Sequence, residues 1–146
     1  DYTGGALGAY TIKVALAKST MPFGKAFASG IMCNVLVCGA ILLAAAAKDV
    51  AGKIFACFFP ILAFVVAGYE HCVANMYYIP AGMLALTNEQ YAAKAEELYG
   101  ITAQQCEALS VSGMFHNLLP VTLGNIVGGS IFLGCLCFLI YRKDWK

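Results

Sequence analysis

A run of 22 residues without a single charge, from Ala26 to Ala47, most limits what this chain can fold into. As an α-helix it would be about 33 Å long, at roughly 1.5 Å per residue, which matches the hydrocarbon thickness of a bilayer. A second uncharged run extends from Asn117 to Tyr141. Both runs predict transmembrane helices, and the many small residues of the first would permit close helix packing.

The composition of the 146 residues agrees with this interpretation, because 61% are hydrophobic and only 12% are charged. Soluble domains are nearer half apolar and a quarter charged. The sequence therefore predicts an all-α integral membrane protein whose apolar surface contacts the lipid bilayer. The net charge of +1 arises from scattered basic residues, so nucleic acid is not expected as a partner.

The seven cysteines do not follow the spacing of a metal site or a disulfide framework. Six lie inside apolar runs, where free thiols behave as small hydrophobic side chains, and only Cys106 falls in a polar stretch. The sequence also lacks a nucleophile–base constellation and a phosphate-binding loop. The chain is therefore not expected to be an enzyme, and neither a metal nor a cofactor is predicted.

A third apolar segment, from residue 54 to residue 86, carries ionisable side chains at its middle. Gly68 and Pro80 suggest that this helix is interrupted, and broken helices are where transport sites are commonly built. Glu70 and His71 lie next to the interruption. Because ionisable groups are costly at bilayer depth, they form a candidate functional site.

The remaining segments are predicted to lie outside the bilayer core. Residues 1–25 are interpreted as an external loop or interfacial segment, with a short helix over Ala6 to Ala17. Residues 87–116 hold four acidic residues and one lysine and are interpreted as a polar loop, with a short helix over Asn88 to Tyr99. Three crossings, over 26–47, 54–86 and 117–141, would connect these segments.

Loop charge predicts the orientation of the three crossings. The turn at 48–53 and the tail at 142–146 together hold five basic residues, whereas the 87–116 loop holds only Lys94. By the positive-inside rule, the turn and the C-terminal tail are cytoplasmic and the 87–116 loop is external.

Three ordered blocks resemble the formate/nitrite transporter family. They read GIMCNVLVC from Gly30, GYEHCVANMYYIP from Gly68 and HNLLPVTLGNIVGG from His116. The resemblance implies an aquaporin-like inverted-repeat channel fold with six crossings in two halves, assembled as a homopentamer with one pore per protomer. This chain would supply the C-terminal half, with three crossings of which the middle one is broken.

The same resemblance implies the partners and the location of the protein. The chain opens with Asp1 rather than Met and is expected to be a fragment, so the missing N-terminal half of the same protein would be its first partner. Family members move small monovalent anions such as formate, nitrite or hydrosulfide. A bacterial cytoplasmic (inner) membrane is the expected location.

The resemblance also assigns roles to individual residues. His71 corresponds to the central histidine of the pore, Asn34 to the asparagine that faces it, and Phe64 to an aromatic at the cytoplasmic-side constriction. Beside the pore, a buried polar group would comprise Lys18, Glu70 and Asn75. We expect Lys18 to draw anions into the external mouth, and Glu70 to pair with Lys18 or Asn75, because a lone buried carboxylate is too costly.

Each of these residues also has a simpler structural interpretation. Asn34 could join helices through a hydrogen bond, Lys18 could extend to lipid headgroups, and Phe64 could face lipid. His71 could be a packing residue. The interpretation preferred for His116 is a helix cap, and the glycines at 124, 128 and 129 are interpreted as helix packing.

Two other functions compete with the anion channel. One is a haem-binding membrane subunit of a redox complex, with His71 and His116 as axial ligands. Their positions argue against it, since His71 is placed at mid-membrane and His116 at a surface. The other is a purely structural or assembly subunit.

Overall fold

The computed structural model describes residues 3–142, and all of their regular structure is helical, as the sequence predicted. Residues 1–2 and 143–146, which include most of the expected cytoplasmic tail, lie outside this range. The described helices are α1 (Ala6–Ser19), α2 (Phe23–Ala46), α3 (Val50–Val66), α4 (Cys72–Leu86), α5 (Glu89–Tyr99), α6 (Ala103–Cys106), α7 (Val111–Ile126), a π-helix (Val127–Leu133) and α8 (Gly134–Tyr141).

Two helical stretches are long and apolar enough to cross a membrane, Phe23–Ala46 and the continuous Val111–Tyr141. Both α3 and α4 are apolar but shorter. The last stretch begins six residues before the expected Asn117, because the Ser110 hydroxyl accepts a hydrogen bond from the Gly113 N–H (3.2 Å) and caps α7. His116 is consequently not the cap that the sequence suggested. It is an exposed residue inside α7.

The chain divides into two compact units, each built from two separate stretches. Within the described residues, unit 1 comprises residues 3–23 and 73–119. Unit 2 comprises residues 24–72 and 120–142.

An apolar core organises unit 1. The α1 helix contributes Ala9, Ile12 and Ala15, which are fully buried and share one face because they recur every third residue. The remaining buried members of this core are Ala95, Ile101 and Leu109. Three of the six therefore come from a segment that was interpreted as external or interfacial, and the other three come from the polar stretch after α4.

Local capping fixes the short helices of unit 1. The Asn88 side chain accepts a hydrogen bond from the Gln90 N–H (3.0 Å) at the start of α5. The α5 helix ends at Gly100, whose φ of +65° lies in the left-handed region that favours glycine. A reciprocal capping box between Thr102 and Gln105 starts α6 directly afterwards.

Close backbone contact organises unit 2. A Cβ atom at Gly124 would collide with the Phe27 carbonyl oxygen, and one at Gly128 would collide with the Ile31 carbonyl oxygen. The absence of these side chains lets α7 and the π-helix lie directly against α2, which is the packing role expected of the glycines. In contrast, α3 buries none of its residues within the described part of the chain.

Candidate functional site

The break between α3 and α4 covers five residues, 67–71. Gly68, the second residue of the break, has a φ of +67°, a conformation that is strained for a residue with an L side chain. The Gly68 N–H donates to the Val65 carbonyl (3.1 Å), and the Tyr69 N–H donates to the Phe64 carbonyl (3.0 Å). These two bonds form a Schellman motif, which explains why the helix stops here.

Pro80 does not interrupt the second half of this segment. It lies inside α4, which continues to Leu86. Of the two residues that suggested a broken helix, Gly68 therefore accounts for the break and Pro80 does not.

The buried side chain of Asn125 holds the end of the break. Its Oδ1 accepts a hydrogen bond from the Cys72 N–H (3.0 Å), and its Nδ2 donates to the carbonyls of Glu70 (3.1 Å) and Gly30 (2.8 Å). A second tether comes from the Ser29 hydroxyl, which accepts from the Glu70 N–H (3.1 Å). Backbone N–H and C=O groups at the break, which lack regular helical hydrogen bonds, are thus hydrogen-bonded to side chains of α2 and α7.

His71 and Phe64 lie side by side at this break. Their ring centroids are 6.0 Å apart, with the ring planes tilted by 34°. Both side chains are half-buried, and the neighbouring Glu70 is only 3% exposed. Unit 2 therefore brings together the imidazole, the aromatic ring and the carboxyl-bearing residue that the sequence singled out.

Asn34 reaches the same part of unit 2 from α2. Its Nδ2 donates to the main-chain oxygen of Asn125 (2.8 Å). A Cβ atom at Gly129 would lie 2.9 Å from this Nδ2 and 2.8 Å from the Cys38 Sγ, so the glycine makes room for the contact. Asn34 thus joins two helices, while its predicted role of facing the pore histidine stays a prediction.

Lys18 and Asn75 lie in unit 1, where Asn117 connects them. The Asn75 Nδ2 donates to the Asn117 Oδ1 (2.7 Å), and the Asn117 Nδ2 donates to the Lys18 carbonyl (3.0 Å). Both asparagines are fully buried. The Lys18 ammonium lies 5.5 Å from the centroid of the Tyr78 ring, within the range of a cation–π contact.

Asn117 and Asn125 are two polar residues whose part in the site was not predicted from the sequence. Both lie in the third block that resembles the family, and the glycines of that block were interpreted as helix-packing residues. The signal that could have found them is the one that identified Asn34, an amide inside an apolar run, which is costly to bury unless it is hydrogen-bonded.

No metal-binding cluster of three or more His, Cys, Asp or Glu side chains occurs among residues 3–142. The seven cysteines form no disulfide with one another in this part of the chain.

Residues 3–142 thus contain two helices of membrane length and a helix break with a tethered backbone, and discontinuous helices of this kind are found in many transporters. The chain belongs to the formate/nitrite transporter family, because the sequence model of that family matches residues 2–139. This family consists of transporters and channels rather than enzymes, so the chain is part of a multi-pass membrane protein.

Two curated relatives illustrate the similarity. A probable formate transporter of Methanothermobacter thermautotrophicus is 41% identical over 137 residues, which are 94% of this chain and 43% of the relative. The formate channel FocA of Haemophilus influenzae is 40% identical over 114 residues, which are 75% of this chain and 38% of the relative. The chain thus spans about two fifths of the length of these relatives. Nothing among the comparisons supports the haem-binding alternative.

Solved structures agree with the family assignment. A pentameric formate channel with formate bound has a TM-score of 0.82 and 36% identity, and the match covers 96% of this chain and 55% of that one. A channel described as an FNT family ion channel has a TM-score of 0.68 and 34% identity, covering 90% of this chain and 45% of that one.

Proposed function

We propose that this chain forms part of a membrane channel or transporter for small monovalent anions, with formate, nitrite and hydrosulfide as the candidate substrates. The observation that carries the proposal is the pairing of His71 with Phe64 at a helix break whose backbone Asn125 tethers. The names of the relatives, a formate channel and a probable formate transporter, support the same substrate class.

His71 would lower the barrier that an anion meets in the bilayer. An ion that leaves water pays a large desolvation cost unless it is neutralised or coordinated. An imidazole with a reference pKa near neutrality can donate either a hydrogen bond or a proton at physiological pH. A weak-acid anion could then pass this point partly as its neutral form.

Phe64 would form the hydrophobic constriction. A ring that narrows the pathway excludes hydrated ions, and an anion that has shed its water or taken up a proton passes more easily. With the Phe64 and His71 ring centroids 6.0 Å apart, such a constriction would lie directly beside the group that would neutralise the anion.

The other polar residues would serve the same pathway. Lys18 would attract anions toward the external mouth, as charged clefts do. Asn34 would present its amide to the imidazole or to a bound anion in addition to its helix contact. Glu70, buried and carboxyl-bearing, together with Asn75, would belong to the supporting polar network.

The assembly that we propose follows the family. Three crossings from this chain, the middle one broken, would combine with an N-terminal half of the same protein in an aquaporin-like fold. Five such protomers would associate in a bacterial cytoplasmic membrane. Their C-termini would lie on the cytoplasmic side. The pentameric state described for the formate-bound channel supports this arrangement.

Anion uptake into proteoliposomes tests the proposal. The intact protein and its His71→Asn variant would be compared by stopped-flow with formate, nitrite and hydrosulfide at roughly pH 5 to 8, the range in which an ordinary histidine titrates. We expect selective uptake of at least one anion and a change in its size or pH dependence in the variant.

A matched control comes from Asn88→Asp, which keeps the oxygen that caps α5 and changes an asparagine outside the proposed pathway. It should transport like the wild type. Absence of uptake in the wild type at every pH, or a His71→Asn variant indistinguishable from it, would refute the proposed role.

A further inference from the structure

The Asn125 amide contacts the chain on both sides of His71. The Glu70 carbonyl, which accepts from Nδ2, belongs to the peptide group before His71, and the Cys72 N–H, which donates to Oδ1, belongs to the peptide group after it. Two hydrogen bonds from one side chain, at 3.1 and 3.0 Å, therefore bracket the Cα atom of His71.

The residue type at 125 is matched to these contacts. Nδ2 donates to the Glu70 and Gly30 carbonyls, which uses both of its hydrogens, while Oδ1 takes the Cys72 N–H. An aspartate has the same shape but no N–H, so its carboxylate would face two carbonyl oxygens. A longer glutamine would not fit easily, since Asn125 is only 3% exposed and its Nδ2 lies 3.2 Å from the position of a Cβ at Gly30.

A further hydrogen bond, from outside the Asn125 side chain, holds the residue before His71. The Ser29 hydroxyl accepts from the Glu70 N–H, so the residue before His71 is held at both its N–H and its carbonyl. Residues outside a helix have no regular backbone bonds of their own, and their orientation depends on such contacts. The hydrogen bonds from Asn125 and Ser29 therefore constrain the backbone on both sides of the His71 Cα atom.

We infer that Asn125 is the positioning residue for His71, fixing the break so that the imidazole meets the anion beside Phe64. This inference rests on the proposed function. Asn125 acts through His71 and does not itself need to contact the anion.

A double-mutant cycle in the intact reconstituted protein tests this inference, with formate, nitrite and hydrosulfide uptake as the readout. Asn125→Asp is made in the wild type and in the His71→Asn background. If Asn125 acts through His71, the substitution should lower uptake on the order of tenfold in the wild type and by less than about twofold when His71 is already absent. Asn88→Asp serves as the matched control.

The pH profile supplies a second readout. When the carboxyl group introduced by Asn125→Asp is protonated, it can accept from the Cys72 N–H and donate to one carbonyl, which restores part of the bracket. We therefore expect uptake by the Asn125→Asp variant to recover partly toward acid pH relative to wild type, and this recovery to be absent in the His71→Asn background.

Should Asn125→Asp not yield folded protein, Ser29→Ala carries the same cycle, because it removes one hydrogen bond from the bracket and leaves Asn125 in place. An equal loss of uptake in both backgrounds would show a purely structural role and overturn this inference alone. A wild type without uptake, or a His71→Asn variant identical to it, would overturn the proposed function and this inference with it.

Discussion

The helices of the two units are held together by different kinds of contact. Unit 1 buries a cluster of apolar side chains that includes Ile12, and it also contains the hydrogen-bonded buried amides of Asn75 and Asn117. Unit 2 relies on direct contact between backbones at Gly124 and Gly128, and on amide hydrogen bonds from Asn34 and Asn125.

The difference indicates where each unit is sensitive to substitution. An apolar core loses stability when side-chain volume is removed, because a cavity is left behind. An interface between glycines loses stability when volume is added, because a backbone carbonyl cannot move aside as a flexible side chain can. Removing volume at Ile12 should therefore destabilise unit 1, and adding volume at Gly124 should destabilise unit 2.

The largest effect is expected from Ile12→Ala in unit 1. Ile12 is fully buried, so the substitution should lower the free energy of unfolding by about 2–5 kcal/mol. Ile54→Ala on α3 of unit 2 is the matched control, since Ile54 is 60% exposed, and it should cost less than about 0.5 kcal/mol. Thermal or denaturant unfolding of the purified protein in detergent measures both.

Equal losses for the two isoleucine variants would break the comparison. They would mean that other protein segments cover α3, so that the exposure of this helix is a property of the described residues alone.

A somewhat smaller effect is expected from Gly124→Ala in unit 2. The new Cβ would meet the Phe27 carbonyl oxygen, and overpacking of this kind costs about 1–3 kcal/mol. At Gly39 a Cβ has nothing within 4 Å, so Gly39→Ala should be neutral or slightly stabilising through its higher helix propensity. If both variants unfold at the same temperature, close backbone contact does not hold unit 2 together.

The smallest effect concerns Cys106, which packs against the core of unit 1. Burial raises the pKa of the Cys106 thiol above its ordinary value. Because the thiolate is the reactive form, alkylation near pH 8 should be several-fold slower at Cys106 than at an exposed cysteine introduced as Gln104→Cys. Peptide-resolved mass spectrometry measures the two rates, and equal rates would show that the core does not shield this thiol.

The sign of the accompanying pH effect on stability follows from the same raised pKa. The folded state favours the protonated thiol, so its contribution is complete below the ordinary thiol pKa and is lost as the pH rises through the folded-state value. Unit 1 should therefore weaken slightly in alkaline solution, and Cys106→Ser should remove that part of the pH dependence.

The sequence was sufficient to predict the helical class, the family and the position of the helix break. Each depends on a local pattern: uncharged runs of membrane length, ordered family-like blocks, and Gly68 beside ionisable residues. The left-handed conformation of Gly68 and the Schellman motif that it closes give the break a local cause.

What the sequence did not indicate depends on contacts between distant positions. Asn125 bonds to residues 53 to 95 positions away, and an amide inside an apolar run shows that it needs partners without showing which residues supply them. The core of unit 1 was missed for a related reason, since Ile101 and Leu109 stand in a polar stretch and are buried in one cluster with distant residues of α1. The predicted start of the last helix was too late because His116 was interpreted as its cap, whereas the capping side chain is Ser110.

The π-helical segment gives the last helix a place where its length can change by one residue. Its hydrogen bonds reach back five residues, as between the Gly134 N–H and the Gly129 carbonyl, and such segments correspond to an inserted residue within an α-helix. Deleting one residue there would let the backbone return to regular i to i−4 hydrogen bonds, so α8 would keep its orientation relative to Asn125. A single-codon deletion between Val127 and Leu133 would therefore be absorbed locally, whereas the same deletion in the α-helical stretch before it would rotate every following side chain by about 100°, at 3.6 residues per turn.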